Sequence, residues 1–441
     1  MKRFMWISVL KILISTLLAF GTGLYSGTIR PARSLDLGFP LKVIYQQDPG
    51  SKLTIVRIAI PAGFRTVPGN RRGLAFLTAR TAMEIPSASM ARDLLEKGIR
   101  LSSHVDGDQA ILTMITLSEH FNDAAAILGS ILRKPLVSGI RIQRIKKTMS
   151  FRDSVEKDSP RSFMRREMTD HFLGSRGYGG GELGCELSRK NIRSSDVKRH
   201  LEQFYNAENM RVSVVSDIDA PRIQDQLRAS FHSLPKKSRS HEKPQPAAPC
   251  SCEQVSVQSS PRELSQPMLA WGMKVPELSA ESFVLTRLLA RVLARGPGSM
   301  AWRLRDPLGL AYTVDCDLVH FREGGVLMVF LYTGTGQIAL ARSRMEALFQ
   351  SLLEQGIPGD ILAAAIRLEV VAWQRSLQSK AERSFWLASI SDLGSGVQMV
   401  DGYIERIRKI SKEDLDPFMR AVLKSDTRRL VVLGGTDPQE E

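Results

Sequence analysis

Histidine is sparse in this chain. There are seven in 441 residues, His104, His120, His171, His200, His232, His241 and His320, and no two stand three or four apart. Two imidazoles that share a metal from one helical face need that spacing, so a helical histidine pair is excluded. Cysteine is scarcer still, with Cys185, Cys250, Cys252 and Cys316. Cys250 and Cys252 are separated by one Ser, which does not have the spacing of paired zinc knuckles. In an oxidising compartment one or two disulfides are open to these four, in three complete pairings, and free thiols fit equally well. A Gly-x-Ser-x-Gly elbow is missing, as is a Cys-His nucleophile arrangement. The cluster Gly177-Tyr178-Gly179-Gly180-Gly181 is followed by no Gly-Lys-Ser/Thr ending and reads as a flexible loop, able to touch a peptide, not a phosphate cradle. Acidic residues are outnumbered 46 to 61, giving a net charge of +15, but the excess Arg and Lys are scattered with no basic stripe interleaved with aromatics. Charge without such a motif does not argue for nucleic acid; it reads as solvated basic faces.

What is present is organised. With 43% hydrophobic and 24% charged residues the composition is that of a globular protein, and the length leaves room for two or three domains. Lys2 and Arg3 precede an apolar run from Phe4 to about Gly27, broken only by Lys11 and followed by Arg30, Arg33 and Ser34. Residues 1–34 therefore read as an export signal, or as an uncleaved anchor, which places the chain in the periplasm or facing it. Residues 236–265 are rich in Ser, Pro, Lys and Gln and read as a linker. On either side lie two blocks, 36–235 and 266–438.

The blocks repeat one another in order. Arg161-Ser162-Phe163 and Arg383-Ser384-Phe385 each open a helical stretch, 192–196 and 410–414 each lead into a helix, and 210–215 and 430–433 are each apolar, strand-like runs near the block's end. Ser411 and Asp414 have the spacing of a helix cap. Strand-like runs at 53–60, 110–117, 268–271 and 325–332 alternate with helical spacing at 121–132 and 339–353. Ser118 is expected to cap the helix that follows, with Glu119 on its dipole. The pattern predicts an α+β fold of two homologous units, each a mainly antiparallel sheet covered by helices.

A family resemblance rests on several segments. Ile60-Pro61-Ala62-Gly63-Phe64, Gly73-Leu74-Ala75-Phe76-Leu77-Thr78-Ala79-Arg80, Leu95-Glu96-Lys97-Gly98, Leu132-Arg133-Lys134-Pro135, the segment from Leu304 to Tyr312, and Val431-Val432-Leu433-Gly434-Gly435 follow one another in order. Together they resemble the insulinase-like (M16) metallopeptidases over almost the whole chain beyond the N-terminal run. In active members the helix after Gly-Leu-Ala carries His-x-x-Glu-His, two zinc ligands one turn apart and a base for the metal-bound water. The matching positions here are Phe76, Ala79 and Arg80, with no lone pair at Phe76, no base at Ala79 and a permanent cation at Arg80. Glu156 stands 76 residues after Arg80, the place of a third ligand, and without the first two reads as a surface carboxylate with no role.

The resemblance implies a pseudoenzyme. No metal or other cofactor is expected in this chain, zinc being carried by a partner. It is similar to the zinc-less subunit of bacterial two-chain M16 peptidases and of mitochondrial processing peptidase, which form heterodimers around a chamber for unfolded peptides. The family's substrate-binding Arg and Tyr, seven positions apart, match Arg305 and Tyr312. Without the family match these two would read as a surface ion-pairing residue and a half-buried strand aromatic. Two other readings stand beside this one: a scaffold protein of a membrane-associated complex, and an active zinc peptidase with unrecognised ligands.

Overall fold

The computed structural model describes residues 30–236, 259–260, 264, 266–305, 308–391, 393, 396–424 and 428–434. The apolar N-terminal run, most of the inter-block segment with Cys250 and Cys252, Asp306, Pro307 and Gly435 lie outside them. No helix of the described residues is long and apolar enough to cross a membrane.

The first half runs β1 (Arg33–Leu35), β2 (Lys42–Gln47), β3 (Leu53–Ile60), α1 (Leu74–Ala82), α2 (Ala88–Glu96), β4 (Arg100–Val105), β5 (Ala110–Leu117), α3 (Phe121–Arg133), α4 (Gly139–Asp158), α5 (Pro160–Leu173), α6 (Glu186–Asn191), α7 (Ser194–Phe204), β6 (Arg211–Ser216) and α8 (Ala220–Phe231). The second runs β7 (Ser259–Ser260), β8 (Met268–Val275), α9 (Ala280–Leu293), β9 (Thr313–Phe321), β10 (Gly324–Tyr332), α10 (Ile338–Gln355), α11 (Gly359–Gln378), α12 (Lys380–Ile390), α13 (Gln398–Asp401), α14 (Tyr403–Arg408), α15 (Lys412–Leu423) and β11 (Arg428–Leu433). The sheets have the orders β1-β2-β6-β3-β5-β4 and β7-β11-β8-β10-β9. Among the described residues only the β2–β6 and β7–β11 pairs are parallel. The fold is α+β, as the sequence pattern predicts.

Alternation along the strands sends the two faces of each sheet to different cores. On β10, Val326, Met328 and Phe330 join the first half's core, while Leu327, Val329 and Leu331 join the second's. On β2, Val43 and Tyr45 face the first core and Ile44 the second. Helices exchanged between the halves explain this. α5 crosses to pack on β8, β10 and β11, and α12 crosses back to pack on β3 and β6. The two helices start alike, after Ser159 and Ser379, whose hydroxyls accept from the Ser162 and Ala381 backbone N–H.

Ser411 and Asp414 form the expected reciprocal cap at the start of α15. Ser118 does not cap. Its hydroxyl bonds the Asp217 carboxylate and, at 2.9 Å, the Thr54 hydroxyl, so it ties strand ends together ahead of α3. Cys185 is disulfide-bonded, and Cys316 is a free thiol buried in the second core.

Candidate functional site

α1 is apolar on every side and correspondingly enclosed: all of its residues except Arg80 are buried. Phe76 is 3% exposed and Ala79 is fully covered. The helix starts at Gly73, whose φ of +96° belongs to the left-handed region; a Cβ there would stand 2.7 Å from the Leu183 carbonyl oxygen. That close approach binds the start of α1 to the segment Glu182–Leu183. Buried Arg72, just before it, donates to the carbonyls of Val67 at 3.0 Å and Gly177 at 2.7 Å, which fixes the glycine loop against the same end.

Next to this junction is a cavity of about 390 Å³ between the halves. Asp106 at the end of β4, Glu156 on α4, Arg165 and Asp170 on α5, Glu182 after the glycine loop and His320 on β9 line it. The tip of the β9–β10 hairpin closes one side. Phe321 stacks on Tyr178 at 4.5 Å between ring centroids, and the Arg322 backbone N–H donates to Asp108 at 2.7 Å. Gly107 is required beneath this stack, because a Cβ would meet both rings within 2.8 Å.

The wall is acidic and poorly compensated. Burial, reinforced by the charge of Glu156, pushes the Glu182 carboxyl up to about 7 against the pull of Arg152 and Arg165. Burial likewise lifts Asp106 to about 6, although its Oδ1 accepts the backbone N–H groups of Asp108 and Gln109 at 2.8 Å each. Asp170 is raised by burial as well, and it accepts the Gly180 N–H at 2.9 Å. His320, pushed down to about 4 by burial, stays neutral and bonds the Pro276 carbonyl oxygen at 3.0 Å.

Phe76, Ala79 and Arg80 do not fit a zinc ion. Phe76 and Ala79 are core side chains with no ligand atom, and Arg80 projects its cation into solvent. Among the described residues no group of three or more His, Cys, Asp and Glu stands together as a metal ion requires. Glu156 is not the surface carboxylate its isolation in sequence suggests; it is half-buried in the cavity wall, one wall over from Glu182. Arg305 and Tyr312 are not brought here. Both are exposed, Tyr312 by 61%, so it is not the half-buried aromatic of the plain reading. Tyr312 precedes β9 while the cavity takes the strand's second half from Asp317 on, about 17 Å away at strand rise. Arg305 stacks over Trp302, 4.8 Å from its ring centroid. Sequence reasoning missed Asp106, Arg165 and Glu182. The one signal for them was the glycine loop at 177–181, which ends where Glu182 enters the wall.

Comparison with known proteins finds a family model that matches part of the chain. The model of the M16 peptidase inactive domain matches residues 191–368, from the end of α6 through the first half of α11. Over those residues the chain resembles the M16 peptidase inactive domain. An uncharacterized zinc protease of Rickettsia felis is 21% identical over 294 residues, covering 66% of this chain and 68% of that protein. The uncharacterized zinc protease YmxG of Bacillus subtilis is 20% identical over 327 residues, 72% and 77% of the two chains. The fold matches the crystal structure of a peptidase M16 inactive domain from Pseudomonas fluorescens with a TM-score of 0.81 at 19% identity, over 92% of this chain and 98% of that one. A chain of complex III2 from Candida albicans has a similar fold, with a TM-score of 0.75 at 15% identity over 91% and 95%.

Proposed function

We propose that this chain is the non-catalytic member of a two-chain M16 peptidase, exported to the periplasm, which pairs with a zinc-bearing homologue and helps hold an unfolded peptide. The observation that carries this reading is the state of α1. Its motif positions hold two packed core side chains and a cation, while the cavity beside it is lined by several charged side chains. A chain that retains the peptidase architecture without a metal-binding set contributes binding surface, not bond cleavage.

Arg305 and Tyr312, exposed and far from this chain's own cavity, are then offered to the partner's metal site. There the guanidinium would hold the peptide and the phenol would donate to the developing oxyanion. The fold match to a complex III2 chain favours a second reading, a scaffold within a membrane-associated assembly. Reconstitution with a zinc-bearing homologue separates them. Tyr312→Phe and Arg305→Ala, made separately, are expected to lower turnover on the order of a hundredfold for the lost oxyanion donor while leaving complex formation intact. Unchanged turnover in both removes the catalytic contribution and leaves the scaffold.

A further inference from the structure

We propose that Arg152 is the resident cation of this site: seated on Phe76 and one helical turn before Glu156, its guanidinium carries the positive charge that a metal ion supplies in an intact M16 centre, and it keeps metal ions out.

Arg152 lies on α4 with its guanidinium carbon 5.3 Å from the Phe76 ring centroid. A phenyl face attracts a cation, so the residue that removes the first ligand also provides a seat for the replacement charge. Glu156 follows four residues later on the same helical face. The charged groups that act on Glu182 come from three directions: Glu156 and Arg152 on α4, Arg165 on α5, and Asp106 at the end of β4. Arg152 also acts on His104, the β4 residue that lines the cavity beside Asp106. Arg152 is thus the cation that joins Phe76 on α1 to the helical face carrying Glu156.

The chemistry suits the role. Carboxylates grouped in a half-buried wall repel one another and need a nearby positive charge. A guanidinium supplies it permanently, because it does not deprotonate in proteins. The same charge opposes entry of a divalent cation at close range. Arg152 itself is exposed, so its replacement removes charge without opening the core.

The inference rests on the assignment of positions 76, 79 and 80 to the metal motif and not on any partner. The test uses the full chain. Phe76→His, Ala79→Glu and Arg80→His together rebuild the motif, and zinc affinity is measured by calorimetry with Arg152 present, replaced by Gln, or replaced by Lys. Arg152→Gln is expected to tighten zinc binding at least about tenfold over the triple variant, and Arg152→Lys to leave it weak. Equal affinity in all three overturns the role of Arg152 alone. Binding in none of them overturns the motif assignment and this proposal with it. Because the triple variant alters buried positions, Arg152→Gln is also made in the native chain and the Glu182 carboxyl titrated by carbon-13 NMR. An upward shift with Gln but not with Lys is expected, and an unmoved titration with Gln overturns the proposal.

Discussion

The two exchanged helices do the same job with different chemistry. α12 meets the first sheet through a polar seam. Arg57 donates to the Ser384 hydroxyl at 3.0 Å, Ser213 to the Ser384 carbonyl at 2.6 Å, and Lys380 to the carbonyls of Ser51 and Leu53 at 2.7 and 2.9 Å. Arg383 closes the seam on the Asp48 carboxylate, both side chains nearly enclosed. α5 meets the second sheet mostly through apolar atoms. Met168 and Phe172 lie over Gly272, where an added Cβ would come within 2.5 Å of the Met168 sulfur. Its charged contacts lie at the rim, where Arg161 reaches Asp317 at 2.7 Å and Arg429 donates to His171 at 2.6 Å. A directional seam fixes one register, whereas an apolar face is held by shape; the duplicated plan tolerates either as long as buried polar groups find partners.

Two acids, one from each half, differ in the same way, although Asp153 of the first half is itself held by Arg166 at 2.9 Å and Lys157 at 3.1 Å. Glu369 on α11 is fully enclosed, yet Arg287 at 2.7 Å and Arg291 at 2.8 Å hold its carboxyl below the usual range against the cost of burial. Glu182 in the first half has no such clamp and is pushed up instead.

The largest effect is expected at the polar seam. Arg383→Ala leaves Asp48 enclosed without its partner and should cost about 3–5 kcal/mol in urea unfolding. A loss below about 1 kcal/mol would show that the seam does not hold the halves together. Glu182→Gln tests the contrast between the acids. The folded state favours the protonated Glu182 carboxyl, so its share of stability is full below the ordinary value of 4.5 and is lost as pH rises through about 7. After allowance for its partial exposure, wild type should lose roughly 1–2 kcal/mol between pH 5 and pH 8 that the Gln variant keeps. Parallel stability profiles would remove the difference between the two acids. The smallest effect is expected at the rim: Arg161→Ala should cost about 1 kcal/mol or less, since its ion pair is partly solvated. A loss equal to that of Arg383→Ala would mean that both seams are electrostatic.

Local order was legible in the sequence. The strands Leu53–Ile60 and Ala110–Leu117 and the Ser411–Asp414 cap follow from neighbours a few residues apart. The repeated Arg-Ser-Phe at 161–163 and 383–385 marked the two equivalent helices, but not their exchange, which depends on contacts between residues more than three hundred apart, such as Asp48 with Arg383. Ser118 was misread because the carboxylate that claims it is Asp217, 99 residues away. The candidate site was legible only as a deficit at Phe76, Ala79 and Arg80. Its acidic wall draws Asp106, Glu156 and Glu182 from separate elements, and no spacing rule connects them.

The helix exchange also sets a schedule. A nascent chain that has completed β6 still lacks α12, which ends 174 residues beyond Ser216. At a synthesis rate of roughly 5–20 residues per second, the strand face carrying Ile44 and Val215 waits about 10–30 s for its cover. During that interval it is a sticky, β-rich surface, the kind that holdase chaperones bind. The first half is thus a client before it is a domain, and any route that delivers this chain to its final compartment must shield that face until its last third arrives.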